Sequence, residues 1–241
     1  VKPQDRIIVA LDVPTVEEAL GLVHELDGLI SFYKVGLELL MSGGMDRLLQ
    51  SLVEGRRVFV DLKLPNDIPE TVRRAVTLAA DKGVEFLTLS GSATVETIEA
   101  AASGRGGRAK PQLLFVPFLS SLDRSDFSRQ TQSSDSEFED LLRERTERAR
   151  GAGADGFIVS GPEIKLLRDR YRDTLLVSPG IRPEGSSKDD HKRSCTPAEA
   201  IRLGADYIVV GRPIRNASNR RDAAERIIGE VALAMTQAPA Q

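Results

Sequence analysis

The sequence predicts a (β/α)8 barrel, a TIM barrel of the α/β class, and three observations predict it. Short β-branched runs alternate with longer amphipathic stretches along the chain, and eight such strand–helix units fit within its 241 residues. No G-x-G-x-x-G follows the first strand, which argues against an open doubly wound sheet. Glycine and proline are spread evenly instead of marking a linker, so residues 1–241 are expected to form a single domain.

The first unit is RIIVALD, Arg6 to Asp12, followed by an amphipathic helix from Thr15 to Leu26. ISFYKVG, Ile30 to Gly36, leads into a helix over Leu37 to Val53, and RVFVDLK, Arg57 to Lys63, into one over Pro69 to Lys82. VEFLTLS, Val84 to Ser90, precedes a helix from Thr94 to Ala102, which completes four units. The second half adds QLLFVPFLSS with a helix over Ser136 to Ala152, and DGFIVS with one over Pro162 to Tyr171. TLLVSPG with a helix over Pro197 to Leu203, and DYIVVG with a last helix from Arg221, bring the count to eight. Two polar segments break the spacing: SLDRSDFSRQTQSSDSEFED after the fifth strand and RPEGSSKDDHKR after the seventh.

Composition narrows the function. A formal net charge of −3, with basic residues scattered among acids, offers no surface for a phosphate backbone, so nucleic acid is not an expected partner. No apolar run reaches the roughly 18 residues of a membrane helix, and no apolar leader precedes the first strand. The lone Cys195 cannot form an internal disulfide, and a cytoplasmic location is expected. With two histidines, His24 and His191, no zinc-type spacing exists, and a metal would need carboxylate ligands. His24 lies mid-helix as a surface residue, and Cys195 has no base beside it in the sequence.

Barrel chemistry gathers at the carboxyl ends of the strands. There the sequence places Asp12, Lys34, Asp61 and Lys63, then Ser120 and Ser121, then Gly180-Ile181-Arg182, and finally Gly211-Arg212. Strand alternation puts Asp61 and Lys63 on the same face. Any one of these charges also fits a satisfied structural ion pair. Two lysines and up to three aspartates on one rim fit an active site better, because each buried charge costs roughly several kcal/mol unless it is partnered. Gly180 and Gly211 allow close backbone approach, and Arg182 and Arg212 add fixed positive charge, a combination suited to phosphate.

The segments ALD, YKVG, DLK followed by DIPxT, SPGIRP, DDHKR and ADYIVVGRPI closely resemble the orotidine 5′-monophosphate decarboxylase family, in order, from Arg6 to about Ile214. The resemblance implies a homodimeric barrel with shared active sites and no metal or organic cofactor. It would convert orotidine 5′-monophosphate to UMP and CO2 in pyrimidine synthesis. It also implies that Lys63 donates a proton to C6 of the pyrimidine beside Asp61, while Lys34 and Asp12 hold the ribose and order the charged row. Asp67 and Thr71 would reach the neighbouring subunit's site. Ser121, with Ser120, would meet the pyrimidine edge, and Arg182, Gly211 and Arg212 the phosphate.

Three departures accompany it. One extra residue separates Lys63 from Asp67, so Asn66 takes the linear position of the second aspartate. Asp67 is preferred, because Ile68-Pro69-x-Thr71 keeps register with it and the Leu64-Pro65-Asn66 turn can absorb the insertion. His191 stands where a glutamine is usual, and Leu89-Ser90-Gly91 replaces a common His-Ala pair. Two rivals stay open. Magnesium-dependent relatives on the same barrel need an acidic residue where Lys34 stands, and a non-catalytic nucleotide sensor would keep the phosphate site without the chemistry.

Overall fold

The computed structural model describes residues 1–131, 137–183 and 193–237. A 3-10 turn, Pro3–Arg6, leads into β1 (Ile7–Ala10) and α1 (Val16–Glu25), then β2 (Phe32–Gly36), α2 (Leu37–Met41) and α3 (Met45–Val53). Next come β3 (Arg57–Leu64), α4 (Pro69–Asp81), β4 (Phe86–Ser90), α5 (Val95–Gly104), β5 (Gln112–Val116), α6 (Arg124–Thr131) and α7 (Glu137–Gly151). The remainder is β6 (Gly156–Ile158), α8 (Glu163–Arg170), β7 (Leu175–Ser178), α9 (Pro197–Leu203), β8 (Tyr207–Val210), α10 (Arg212–Arg215) and α11 (Arg220–Gln237). All eight strands are parallel and follow chain order, and β1 closes on β8 through Ile7 opposite Ile208. The predicted (β/α)8 barrel is the observed fold.

Strand alternation divides the apolar residues into two cores. Ile7 and Val9 on β1 pack outward with the helices, while Ile8 and Ala10 pack inward with Phe32, Phe59, Phe86, Leu114, Val177 and Val209. Inside the barrel the rings of Phe32, Phe86 and Tyr207 meet edge to face with centroids 5.1 to 5.8 Å apart, and the Arg57 guanidinium lies 4.1 Å from the Phe32 ring centre. Two residues further along the same strands, on the same inward face, stand Lys34, Asp61 and Thr88. The aromatic layer is thus a dry floor beneath the polar mouth.

Several sequence expectations are corrected. The helix expected over Leu37 to Val53 is two helices, because Gly43 adopts φ +77° and Gly44 lies where a Cβ would stand 2.1 Å from Val16 Cγ2. The polar segment after β5 contains α6. β1 ends at Ala10 and β5 at Val116, so Asp12, Ser120 and Ser121 stand on loops and not at strand ends. Regular alternation does not join Asp61 to Lys63 either. The β3–β4 register shifts between Val60 and Leu64, and Lys63 has φ +48°, the one non-glycine residue with positive φ among those described. His191 and most of the RPEGSSKDDHKR segment lie outside the described residues.

The close fit of β6 to β7 is testable. A Cβ on Gly156 would lie 2.3 Å from the Leu175 carbonyl oxygen and 2.7 Å from Leu175 Cβ. Gly156→Ala should destabilise the barrel by roughly 1–3 kcal/mol, at about 2–4 °C of melting temperature per kcal/mol, measured by thermal denaturation.

Candidate active site

Four charged side chains of alternating sign form a row across the mouth. Lys34 Nζ lies 2.8 Å from Asp12 Oδ1 and 3.4 Å from Asp61 Oδ2, and Lys63 Nζ lies 2.9 Å from Asp61 Oδ1. β2 and β3 are adjacent, and their register sets Gly36 opposite Asp61, so Lys34 reaches toward the carboxylate from one step below. The turn after β1 drops Asp12 onto the far side of Lys34. From β4 the Thr88 hydroxyl donates to Asp61 Oδ1 at 3.0 Å and accepts the Lys63 backbone N–H at 2.8 Å.

Burial and charge compete within this row. Desolvation pushes the Asp61 carboxyl upward, but the Lys34 and Lys63 ammoniums and the Thr88 hydroxyl outweigh it and hold the group below the usual range. Desolvation likewise pulls Lys34 down, and Asp61 with Asp12 reverses it, so Lys34 stays protonated. Of the two lysines Lys63 is the more exposed: its side chain is 37% accessible, against 11% for Lys34. A charged ammonium at the edge of a cavity, backed by an ionised carboxylate, can stabilise an adjacent anion and can hand it a proton.

The cavity that Lys63 faces has a volume of about 430 Å³. Asp12, Lys34, Asp61 and Lys63 line one side, over an inner wall of Ala10, Phe59, Val116, Ile158 and Val209. Ser120, Gly180, Arg182, Gly211 and Arg212 line the rest. Gly180 has φ +72°, which lets the chain turn tightly before Arg182, itself buried at 7% exposure. The strand-end residues of the sequence reading therefore converge, with stated exceptions. Ser121 is exposed and does not line the cavity, and Asp67 and Thr71 are exposed and outside it in this chain. His24 is exposed on α1, and burial pushes the Cys195 thiol up, away from nucleophile chemistry.

The Leu64-Pro65-Asn66 turn separates the two candidates for the second acid. Asn66 Oδ1 accepts the Thr94 N–H at 3.1 Å and the Thr97 hydroxyl at 2.9 Å, which fastens the turn to the start of α5. Asp67 accepts the N–H of Ile68 at 2.6 Å through its carboxylate, on an exposed stretch.

Sequence reasoning missed three lining or supporting residues. Thr88 lies two positions after the inward Phe86, so alternation alone points it into the barrel. Glu38, in the first turn of α2, lines the cavity. Arg215, one helical turn after Arg212, lines it too and donates to the main-chain oxygen of Asp12. That bond links the arginine end of the cavity to the charged row.

A family model, "Orotidine 5'-phosphate decarboxylase / HUMPS family", matches residues 5–227. The orotidine 5'-phosphate decarboxylase of Methylococcus capsulatus is 45% identical over 230 residues, spanning 94% of this chain and 92% of its own. That of Nitrobacter winogradskyi is 43% identical over 233 residues, spanning 96% and 95%. A crystal structure of orotidine 5'-phosphate decarboxylase from Lactobacillus acidophilus superposes with a TM-score of 0.79 at 33% identity, over 94% of this chain and 99% of that one. The chain belongs to the orotidine 5'-phosphate decarboxylase / HUMPS family.

Proposed function

We propose that this chain, as a single barrel domain, decarboxylates orotidine 5′-monophosphate without a cofactor and uses Lys63 as the proton donor. Conversion of orotidine 5′-monophosphate to UMP and CO2, a step of pyrimidine biosynthesis, follows from its family and relatives. The observation that carries the roles is the row Asp12–Lys34–Asp61–Lys63 with its one accessible ammonium at the cavity.

Loss of CO2 leaves the C6–carboxylate bond pair on C6, in the ring plane, where the π system cannot delocalise it. Lys63 meets that pair with a full positive charge and then gives it a proton, forming the C6–H bond of UMP and leaving a neutral amine. Asp61 accepts from the Lys63 ammonium at 2.9 Å and lies beside the departing carboxylate. Lys34 and Asp12 fix Asp61 and present polar groups to the ribose. Arg182, Arg212 and Arg215 with Gly180 and Gly211 serve the phosphate, and Ser120 the pyrimidine edge. Binding of that remote dianion supplies free energy that holds the ring against the row.

Magnesium chemistry of the HUMPS kind fits these residues poorly. Metal binding would need an acid where Lys34 stands, and the Lys34 ammonium fills the gap between the Asp12 and Asp61 carboxylates at 2.8 and 3.4 Å.

We place Asp67 and Thr71 in the site of a second copy, in a cytoplasmic homodimer that engages no nucleic acid. Their exposure, and that of the neighbouring Ile68 at 66%, supports this. Thr71 takes the same assignment by its place one turn along α4. Among the described residues no helix is long and apolar enough to cross a membrane.

Three outcomes test the reading. Lys63→Ala, assayed in EDTA by loss of substrate ultraviolet absorbance, should lower turnover at least about 10⁴-fold, the combined scale of general-acid and electrostatic roles, with UMP affinity kept within about tenfold. An active Lys63→Ala enzyme would sink the mechanism. Arg212→Ala should weaken orotidine 5′-monophosphate roughly 10- to 100-fold, as loss of a charge-assisted bond does, and leave orotidine nearly unchanged; equal losses would make Arg212 structural. Asp67→Asn should cut turnover roughly 10²- to 10³-fold with the melting temperature unchanged. Asn66→Ala should do the reverse, costing about 1–2 kcal/mol of stability while turnover holds within about threefold. A folded Asn66→Ala dimer with the greater loss of turnover would exchange the two assignments.

A further inference from the structure

The side chain that completes the geometry of Lys63 comes from β4. Thr88 is fully buried, and its hydroxyl bonds two parts of the site together: it accepts the Lys63 backbone N–H at 2.8 Å and donates to Asp61 Oδ1 at 3.0 Å. The same carboxylate oxygen receives Lys63 Nζ at 2.9 Å. One hydroxyl therefore closes a ring that runs from the lysine main chain through Asp61 to the lysine ammonium. It acts where the backbone is strained. Lys63 has φ +48°, and the β3–β4 ladder is interrupted between Val60 and Leu64, so this N–H finds its acceptor in a side chain and not in a strand carbonyl.

We propose that Thr88 is a positioning residue of the decarboxylation, its hydroxyl fixing the Lys63 main chain and the Asp61 carboxylate in a single mutual geometry. This rests on Lys63 as the proton donor. Without the hydroxyl, the Lys63 N–H loses its partner, the strained peptide is released, and Asp61 Oδ1 loses a donor. A displacement of about 1 Å in a reacting group is enough for roughly a 10²-fold loss of rate. The phosphate end of the cavity is untouched.

A pH signature distinguishes positioning from bulk stability. Asp61 is faced by Lys34 from β2, by Asp12 beyond β1, by Lys63 on its own strand and by Thr88 from β4. Burial and the two ammoniums set its acidity first, and the hydroxyl then adds to the lowering. Removing that donor raises the Asp61 pKa, so the acid limb of kcat moves to higher pH. The limb is read in kcat, which reports the bound complex, because kcat/KM also carries the free phosphate's own ionisation near pH 6.

The experiment compares Thr88→Val, which keeps the β-branched shape without the hydroxyl, with Thr88→Ser, which keeps the hydroxyl. Thr88→Val should lose kcat about 10²-fold, hold KM for orotidine 5′-monophosphate within about threefold, and shift the acid limb upward. Thr88→Ser should stay within about fivefold of the parent and keep its limb. Should Thr88→Val not fold, Thr88→Ala takes its place in the same comparison. Unchanged kcat, an unmoved acid limb, or equal losses in the hydroxyl-free variant and Thr88→Ser would overturn the proposal. Lys63→Ala is assayed alongside: if it is inactive while Thr88→Val behaves as the parent, only the role of Thr88 fails, and if it is active, the reading of Lys63 fails.

Discussion

Asp61 sits between two ammonium groups, and the rest of the site is arranged around that carboxylate. Burying one charge costs several kcal/mol, roughly, and the cost is offset only when opposite charge and hydrogen bonds replace the lost water. Lys34 on one side, Lys63 on the other and the Thr88 hydroxyl above supply both. Removing Asp61 would leave both ammoniums without the carboxylate they share. The row is neutral as a set, with Asp12 and Asp61 against Lys34 and Lys63, so each charge has a partner of opposite sign beside it. The same neutrality leaves Lys63, at the open end, free to direct its charge at whatever anion enters.

The barrel makes this row possible through register. On β2, β3 and β4 the inward positions read Phe32 then Lys34, Phe59 then Asp61, Phe86 then Thr88, so aromatic and polar layers are stacked two residues apart. The aromatic floor excludes water from below, and the low dielectric there strengthens the attraction among the charges above it. β1 and β8, which continue round the barrel from β2, present small or branched residues at the cavity wall, Ala10 beside Lys34 and Val209 beyond it.

Much of this was legible in the sequence because it follows from periodicity. Eight β-branched runs separated by amphipathic stretches are enough to specify the barrel, and the polar residue ending each run is enough to name Asp12, Lys34, Asp61, Lys63, Arg182 and Arg212. What was not legible depends on departures from periodicity. The break between α2 and α3 follows from a left-handed glycine and a close approach to Val16, a contact between segments distant in sequence. The irregular register of β3 gives Lys63 a backbone conformation that strand alternation does not describe, although the two side chains still meet. Thr88 is not legible from strand ends, because it is an inward residue two positions before the last residue of β4, Ser90. The sequence places the extra residue in the turn before α4, and the structure gives Asn66 its own work there, accepting two hydrogen bonds from the start of α5.

Arg215 joins the two ends of the cavity, and that connection bears on how phosphate binding reaches the chemistry. Its guanidinium lines the arginine end and donates to the main-chain oxygen of Asp12, whose carboxylate holds Lys34, which in turn holds Asp61. On the proposed reading, a dianion that drew the guanidinium toward itself would pull on the turn carrying Asp12. A row held by Thr88 and the strained Lys63 peptide would resist that pull. Preorganisation at one end therefore serves both. Strain at Lys63 is stable only because the barrel around it over-determines the geometry, and the same rigidity lets binding energy from a remote group act on the reacting carbon without being dissipated in rearranging the protein.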